Sequence, residues 1–75
     1  MTKIEFTLKT VDGDVEFEIV KQEGKFHVFN KFTDYHGKNK IIRIGQTTTW
    51  TDVVTIAKIF AGKKILDLEK TNVSD

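Results

Sequence analysis

Cysteine and proline are both absent from the 75 residues of this chain, and serine occurs once, at Ser74. Without cysteine the chain has neither a disulfide framework nor a thiolate metal site, which agrees with a cytoplasmic setting. Without proline, the turns must be made by glycine, aspartate and asparagine. No apolar run approaches the length of a membrane span or of a signal-peptide core. These absences predict a soluble cytoplasmic protein with no membrane segment.

Catalytic groups are also scarce. A nucleophile needs a neighbouring base and a group that orients it, but Ser74 lies near the C-terminus, and His27 and His36 fall in a predicted strand and a predicted loop. No glycine-rich phosphate loop or nucleophile elbow occurs. The spacing of Asp34 and the two histidines does not fix three convergent ligands for a metal. We therefore expect a protein that is not an enzyme and that holds no cofactor and no metal.

Two alternating segments open the chain and predict a β-hairpin. Apolar and polar residues alternate in "KIEFTLK" and again in "DVEFEIV", and this period of two is typical of half-buried strands. The dipeptide Asp12-Gly13 between them is typical of a two-residue hairpin turn. A turn at that position places Leu8 opposite Phe17, and the apolar sets of both strands then share one face.

A second two-residue turn is predicted at Glu23-Gly24, and it places Ile19 opposite Val28. The third strand, "KFHVFNKF", then directs Val28 and its alternate neighbours toward the core. The other alternate set, with Phe29 at its centre, points away from the core.

The fourth predicted strand is "KIIRIG", over about residues 40–45, which is β-branched and ends in glycine. Its alternation predicts that Ile42 and Ile44 point inward and that Ile41 and Arg43 point outward.

The period then changes to that of a helix. In "TTTWTDVVTIAKIFAG" the apolar residues recur at helical spacing over about residues 50–61, with Thr49 as the N-cap and Gly62 as the glycine that ends the helix. The following "KKILDLEK" alternates again, with its two leucines on one side, and predicts a fifth strand.

The predicted fold is therefore an α+β domain of two layers. A twisted antiparallel sheet, in the order β-β-β-β-α-β, packs on one amphipathic helix at about residues 50–61. Residues 1–70 form one compact domain, and residues 71–75 form a flexible C-terminal tail. A core of this size usually contributes only about 3–5 kcal/mol to stability, which favours added support from a partner subunit.

The charges are unevenly distributed along the chain, although the net charge is only +1. Residues 1–24 carry three lysines against six acidic residues, whereas residues 25–49 carry five basic residues against one acidic residue, Asp34. An asymmetry of this kind can steer an anionic partner toward the basic segment.

A basic and aromatic group of residues in this middle segment is the candidate binding site. Four of them share the predicted sheet face opposite the helix, and four extend that face into the 33–40 loop. Single-stranded nucleic acids are held by cations along the phosphates and by aromatic rings under the bases, each stacked base contributing about 1–3 kcal/mol. The group comprises His27, Phe29, Lys31 and Arg43 on the sheet, and Tyr35, His36, Lys38 and Lys40 in and beside the loop.

A protein partner is the alternative for the same face. It also carries Val20 and Ile41, and exposed apolar patches commonly mark protein interfaces. The chain would then be an inhibitor or adaptor of a larger protein, or a homodimer that buries this face. Ile56 and Ile59, which flank the apolar stripe of the helix, offer another contact. In topology, four antiparallel strands and a helix are similar to small single-strand-binding coactivator-like domains, which dimerise, although the fifth strand departs from that pattern.

Overall fold

The computed structural model describes the backbone of residues 2–62 and 65–74 and the side chains of residues 2–62. One antiparallel sheet of five strands carries one helix on one face, and the predicted α+β fold and element order are confirmed. The elements are β1 (Thr2–Thr10), β2 (Gly13–Gln22), β3 (Lys25–Thr33), β4 (Asn39–Thr47), α1 (Trp50–Ala61) and β5 (Ile65–Ser74). Across the sheet the strands lie in the order β4-β3-β2-β1-β5, so that β4 forms one edge.

The first turn lies one residue earlier than predicted. Val11 and Asp12 form the loop, so each residue of β1 faces a residue of β2 two positions earlier than the sequence predicts. Gly13 has the positive φ, 119°, as the first residue of β2. The hydroxyl of Thr10 donates to the Gly13 carbonyl at 2.7 Å and accepts from the Asp12 N–H at 3.2 Å. Because the shift is even, the side chains keep their predicted faces.

The second turn confirms its prediction. Glu23 and Gly24 both have positive φ, 54° and 75°, as a two-residue hairpin turn of this class requires. Ile19 pairs with Val28, and both side chains are fully buried. The third strand therefore shows the predicted faces.

The helix also begins and ends where predicted. The hydroxyl of Thr49 accepts a hydrogen bond from the N–H of Asp52 at 3.2 Å, which satisfies one of the unpaired donors of the first turn. At the other end Gly62 adopts the left-handed conformation (φ 63°), and its N–H donates to the Lys58 carbonyl at 3.1 Å.

The core lies between α1 and one face of the sheet. Phe6 stacks on Phe17 with ring centroids 5.1 Å apart. Trp50, at the start of the helix, meets Phe6 and Phe26 edge-on, and Phe60, near its end, meets Phe17 edge-on. Both ends of the helix thus contact the aromatic centre of the sheet, which is the stacked pair of Phe6 and Phe17. The buried apolar residues are Phe6, Leu8, Phe17, Ile19, Val28, Val53 and Ala57.

A β-bulge interrupts β4, and its sequence pattern does not predict it. Gly45 pairs with Val28 and Arg43 pairs with Phe29, which leaves Ile44 as the additional residue. The bulge turns two consecutive side-chain positions, 44 and 45, toward the helix. Glycine at the second of these positions leaves room for the helix.

The helix covers only part of β4. Ile44 packs against the core as predicted, and a Cβ added to Gly45 would lie 3.3 Å from the Cδ1 atom of Ile56, so the helix covers β4 at this point. Ile42 lies on the helix side as well, but its side chain is 44% exposed. Ile42 therefore points to the predicted side but stays outside the buried core, because α1 does not extend over it.

The last strand, β5, pairs antiparallel with β1. It runs to Ser74 and so continues the sheet beyond residue 70, where the sequence places the end of the domain. The predicted direction of its leucines, its predicted start at residues 63 and 64, and residue 75 of the predicted tail lie outside the described residues.

Candidate functional site

The four sheet candidates share the outer face, which is the face of the sheet away from α1. Phe29 lies opposite Arg43 of β4 on one side and opposite Glu18 of β2 on the other. His27 and Lys31 flank Phe29 along β3, and all three are half-buried, whereas Arg43 is exposed. The structure therefore brings these four residues together as the sequence predicts.

Carboxylates from β1 and β2 lie on the same face. The ammonium of Lys31 is 3.7 Å from the Glu5 carboxylate, and the ammonium of Lys3 is 3.1 Å from the Glu18 carboxylate. Ion pairs at a protein surface contribute only about 0–1 kcal/mol each to stability, but these pairs leave the outer face close to electrical balance. Within β1 to β4 this face carries five basic residues (Lys3, Lys9, Lys25, Lys31, Arg43) against four acidic ones (Glu5, Asp14, Glu16, Glu18), so its formal charge is only +1.

The loop between β3 and β4 is organised by Asp34. Its carboxylate accepts hydrogen bonds from the N–H groups of His36 and Lys38, both at 2.9 Å. Its own N–H donates to the Lys38 carbonyl, and its carbonyl accepts from the N–H of Gly37, which has a φ of 82°. These bonds hold the loop in one conformation and engage the only acidic side chain of residues 25–49.

The loop presents an aromatic and basic tip to solvent. Tyr35 is 93% exposed, and its ring centroid lies 4.0 Å from that of His36. Lys38 and Lys40 are exposed beside them, and within residues 2–62 neither forms an ion pair. Lys40 lies opposite Phe32, on the helix side of the sheet, and not on the outer face. The eight candidates thus form two groups, one on the outer face and one at this loop.

Most of the exposed apolar surface lies elsewhere, along β4. Four apolar side chains on the helix side of this edge are 39–75% exposed, and we call them the edge patch: Phe32, Ile42, Ile59 and Phe60. Ile41, on the outer side of the same edge, is 50% exposed. Of these five residues the sequence indicated Ile41 and Ile59 as contacts. For the residues of the helix, the sequence signal was the width of the apolar face. A helix that buries a single stripe typically has polar residues beside that stripe, whereas α1 has isoleucine there.

A groove joins the edge patch to the helix. It has a volume of about 300 Å³ and is lined by Ile44, Ile56, Ile59 and Phe60. It opens where the helix leaves β4 uncovered, so that an apolar side chain from outside the domain would fit there.

Within the described residues, no three histidine, aspartate or glutamate side chains converge to hold a metal ion, and no helix is long and apolar enough to cross a membrane. In comparisons with known proteins, no family model, curated protein or solved structure matches this chain. The functional argument therefore rests on the fold and on its surface.

Proposed function

We propose that this domain is a non-catalytic protein-binding module and that its contact surface is the β4 edge. The observation that carries the proposal is the concentration of exposed apolar side chains there. Of the seven large apolar or aromatic side chains exposed among residues 2–62, five border β4, and only Val11 and Tyr35 lie elsewhere. Contiguous exposed apolar surface of this kind commonly marks a protein interface.

The nearly balanced charge of the outer face favours a protein partner over a polyanion. A nucleic acid gains most of its affinity from cations that replace the counterions of its phosphates. On the outer face every phosphate near Lys31 would also approach Glu5 and Glu16. A protein surface of mixed charge meets no such penalty.

Photo-crosslinking tests this proposal directly. We expect benzoylphenylalanine in place of Ile42 or Ile59 to crosslink to protein in extracts of the cells that make this chain, and the same group in place of Val11 to give no adduct. Val11 is the matched control because it is 57% exposed and lies in the β1–β2 turn. Adducts that disappear with nuclease treatment, or equal adducts from the Val11 position, would contradict a protein interface at β4.

The loop supports a second candidate, the binding of single-stranded nucleic acid. Tyr35 is almost wholly exposed in a loop already held by hydrogen bonds, and Lys38 and Lys40 stand beside it without acidic partners among residues 2–62. A pre-formed aromatic ring beside cations is the arrangement on which bases stack. On this proposal the loop tip alone binds the nucleic acid. The outer face, where basic and acidic residues nearly cancel, takes no part.

The second candidate predicts a particular salt dependence. A fluorescent oligonucleotide is titrated at about 50 mM and about 200 mM salt, and loss of one phosphate contact in Lys38→Gln or Lys40→Gln should reduce the slope of log K against log salt by about 0.7. Tyr35→Ala should weaken binding by about 1–3 kcal/mol through the lost stack. Lys25→Gln, in the other turn, is the control and should change neither quantity. No binding at the lower salt concentration ends this candidate.

A further inference from the structure

The main chain of β4 has one open side. Beyond β4 the described sheet has no further strand. The two-residue turn at Glu23-Gly24 makes the pair next to it hydrogen-bonded, and hydrogen-bonded and non-hydrogen-bonded pairs then alternate along the sheet. In the observed registers this alternation directs the N–H and C=O groups of Lys40 and Ile42 toward β3. Asn39, Ile41 and Arg43 direct theirs to the open edge, where another strand can accept and donate the same bonds.

Apolar and charged side chains surround this open stretch in a defined pattern. On the helix side lie the edge patch and the groove of about 300 Å³. On the outer side lie Ile41 and Arg43, and the guanidinium of Arg43 donates a hydrogen bond to the neutral side chain of Gln46. Lys38 and Lys40 add two further cations at the start of the strand, and the carboxylate of Asp34 is engaged within the loop.

We infer that β4 binds an extended segment of a partner protein by strand addition, and that this segment carries acidic side chains. The inference rests on the proposed function and names the chemistry of its partner. The added strand continues the sheet through the main-chain groups of Asn39, Ile41 and Arg43. Its alternate apolar side chains cover the edge patch on the helix side, and its carboxylates meet Arg43 on the outer side. Lys38 and Lys40 add positive charge at the start of β4, which favours an acidic segment.

A second copy of this chain fits the edge less well. Two β4 strands side by side bring two sets of Lys40 and Arg43 together, and like charges on neighbouring strands are destabilising. The segment 39–47 contains no acidic residue that would offset them. Charge complementarity therefore favours an acidic strand over self-pairing.

The test uses a fluorescein-labelled peptide of about ten residues that alternates valine and glutamate, with both ends blocked. Ile41→Pro removes one outward N–H while leaving the pairing with β3 intact, because proline is tolerated where the N–H points away from the sheet. Ile41→Thr is the matched control, since it changes the side chain and keeps the donor. We expect Ile41→Pro to weaken the peptide at least about tenfold and Ile41→Thr to weaken it by less than about threefold. A valine–lysine peptide should not bind.

Amide exchange on the unmodified protein gives a second reading that does not depend on how the proline variant folds. Peptide binding should protect the amides of Ile41 and Arg43 and leave those of Lys40 and Ile42 unchanged, since the latter are already bonded to β3. Unprotected amides at 41 and 43, or equal binding of the lysine peptide, would overturn strand addition. A dimer in sedimentation that Ile41→Pro abolishes would replace the acidic segment with a second copy. Crosslinking at Ile42 with unprotected amides would leave the protein-binding function standing and remove only this inference.

Discussion

Phe6→Ala should leave most of the chain unfolded at 25 °C. The Phe6 side chain is 1% exposed, stacks on Phe17 at 5.1 Å and meets Trp50 edge-on at 5.8 Å, so it joins the sheet to the start of the helix. Truncating a buried phenylalanine costs about 3–5 kcal/mol through lost burial and the cavity that remains. A core of this size contributes about the same amount in total. Urea unfolding followed by circular dichroism measures the difference.

Phe32→Ala is the control for this experiment. It removes the same atoms from a side chain that is 39% exposed at the sheet edge, and we expect it to cost less than about 1 kcal/mol. Equal midpoints for Phe6→Ala and the unmodified protein would mean that the aromatic centre does not hold the helix on the sheet.

Gly45→Val should destabilise the domain by about 1–3 kcal/mol through overpacking. A Cβ at this position already lies 3.3 Å and 3.4 Å from the Cδ1 and Cγ2 atoms of Ile56, and the two γ carbons of valine have no space between strand and helix. Gly45→Ala should be nearly neutral, because the end of the Ile56 side chain can move by a few tenths of an ångström. Thermal unfolding should show the larger loss for valine.

The cause can be isolated with a double-mutant cycle. If the Ile56 side chain is the obstacle, Gly45→Val combined with Ile56→Ala should unfold at a higher temperature than the sum of the two single changes predicts. Additive effects would mean that valine perturbs the bulge itself and not the helix contact.

The parts of the fold that follow from local chemistry were predictable from the sequence. Glu23-Gly24 specified its register because glycine at the second turn position readily takes the positive φ that a two-residue hairpin turn needs there. Thr49 and Gly62 marked the helix ends through capping bonds that involve only their immediate neighbours. The Asp12-Gly13 prediction failed because glycine can also serve as the residue after a turn, and the hydroxyl of Thr10 favours that arrangement.

The bulge in β4 depends on a contact that no local pattern contains. Gly45 reads in the sequence as the end of a strand, whereas in the structure it lies directly under the helix side chain Ile56. The bulge follows from packing between elements that are separated along the chain.

The sequence predicted which candidate residues of β3 and β4 share the outer face, but not the electrostatics of that face. The excess of acidic residues in residues 1–24 and of basic residues in residues 25–49 suggested a separate basic surface. Folding places β2 beside β3, and Glu16 then lies opposite Lys31. A charge asymmetry along a chain becomes a set of cross-strand pairs when the two segments are neighbouring strands. The predicted register already paired these two residues, so the cross-strand charge pair could have been predicted from the sequence.

The pairing of β1 with β5 has a consequence for the order of assembly. Each of β2, β3 and β4 joins its neighbour through a short connection, whereas β5 reaches β1 only after nearly the whole chain has been gathered. The entropic cost of closing so long a loop delays that contact relative to the three hairpins. Until β5 docks, the main-chain N–H and C=O groups along that edge of β1 have no strand to pair with. During that interval a nascent chain is most exposed to pairing with other chains.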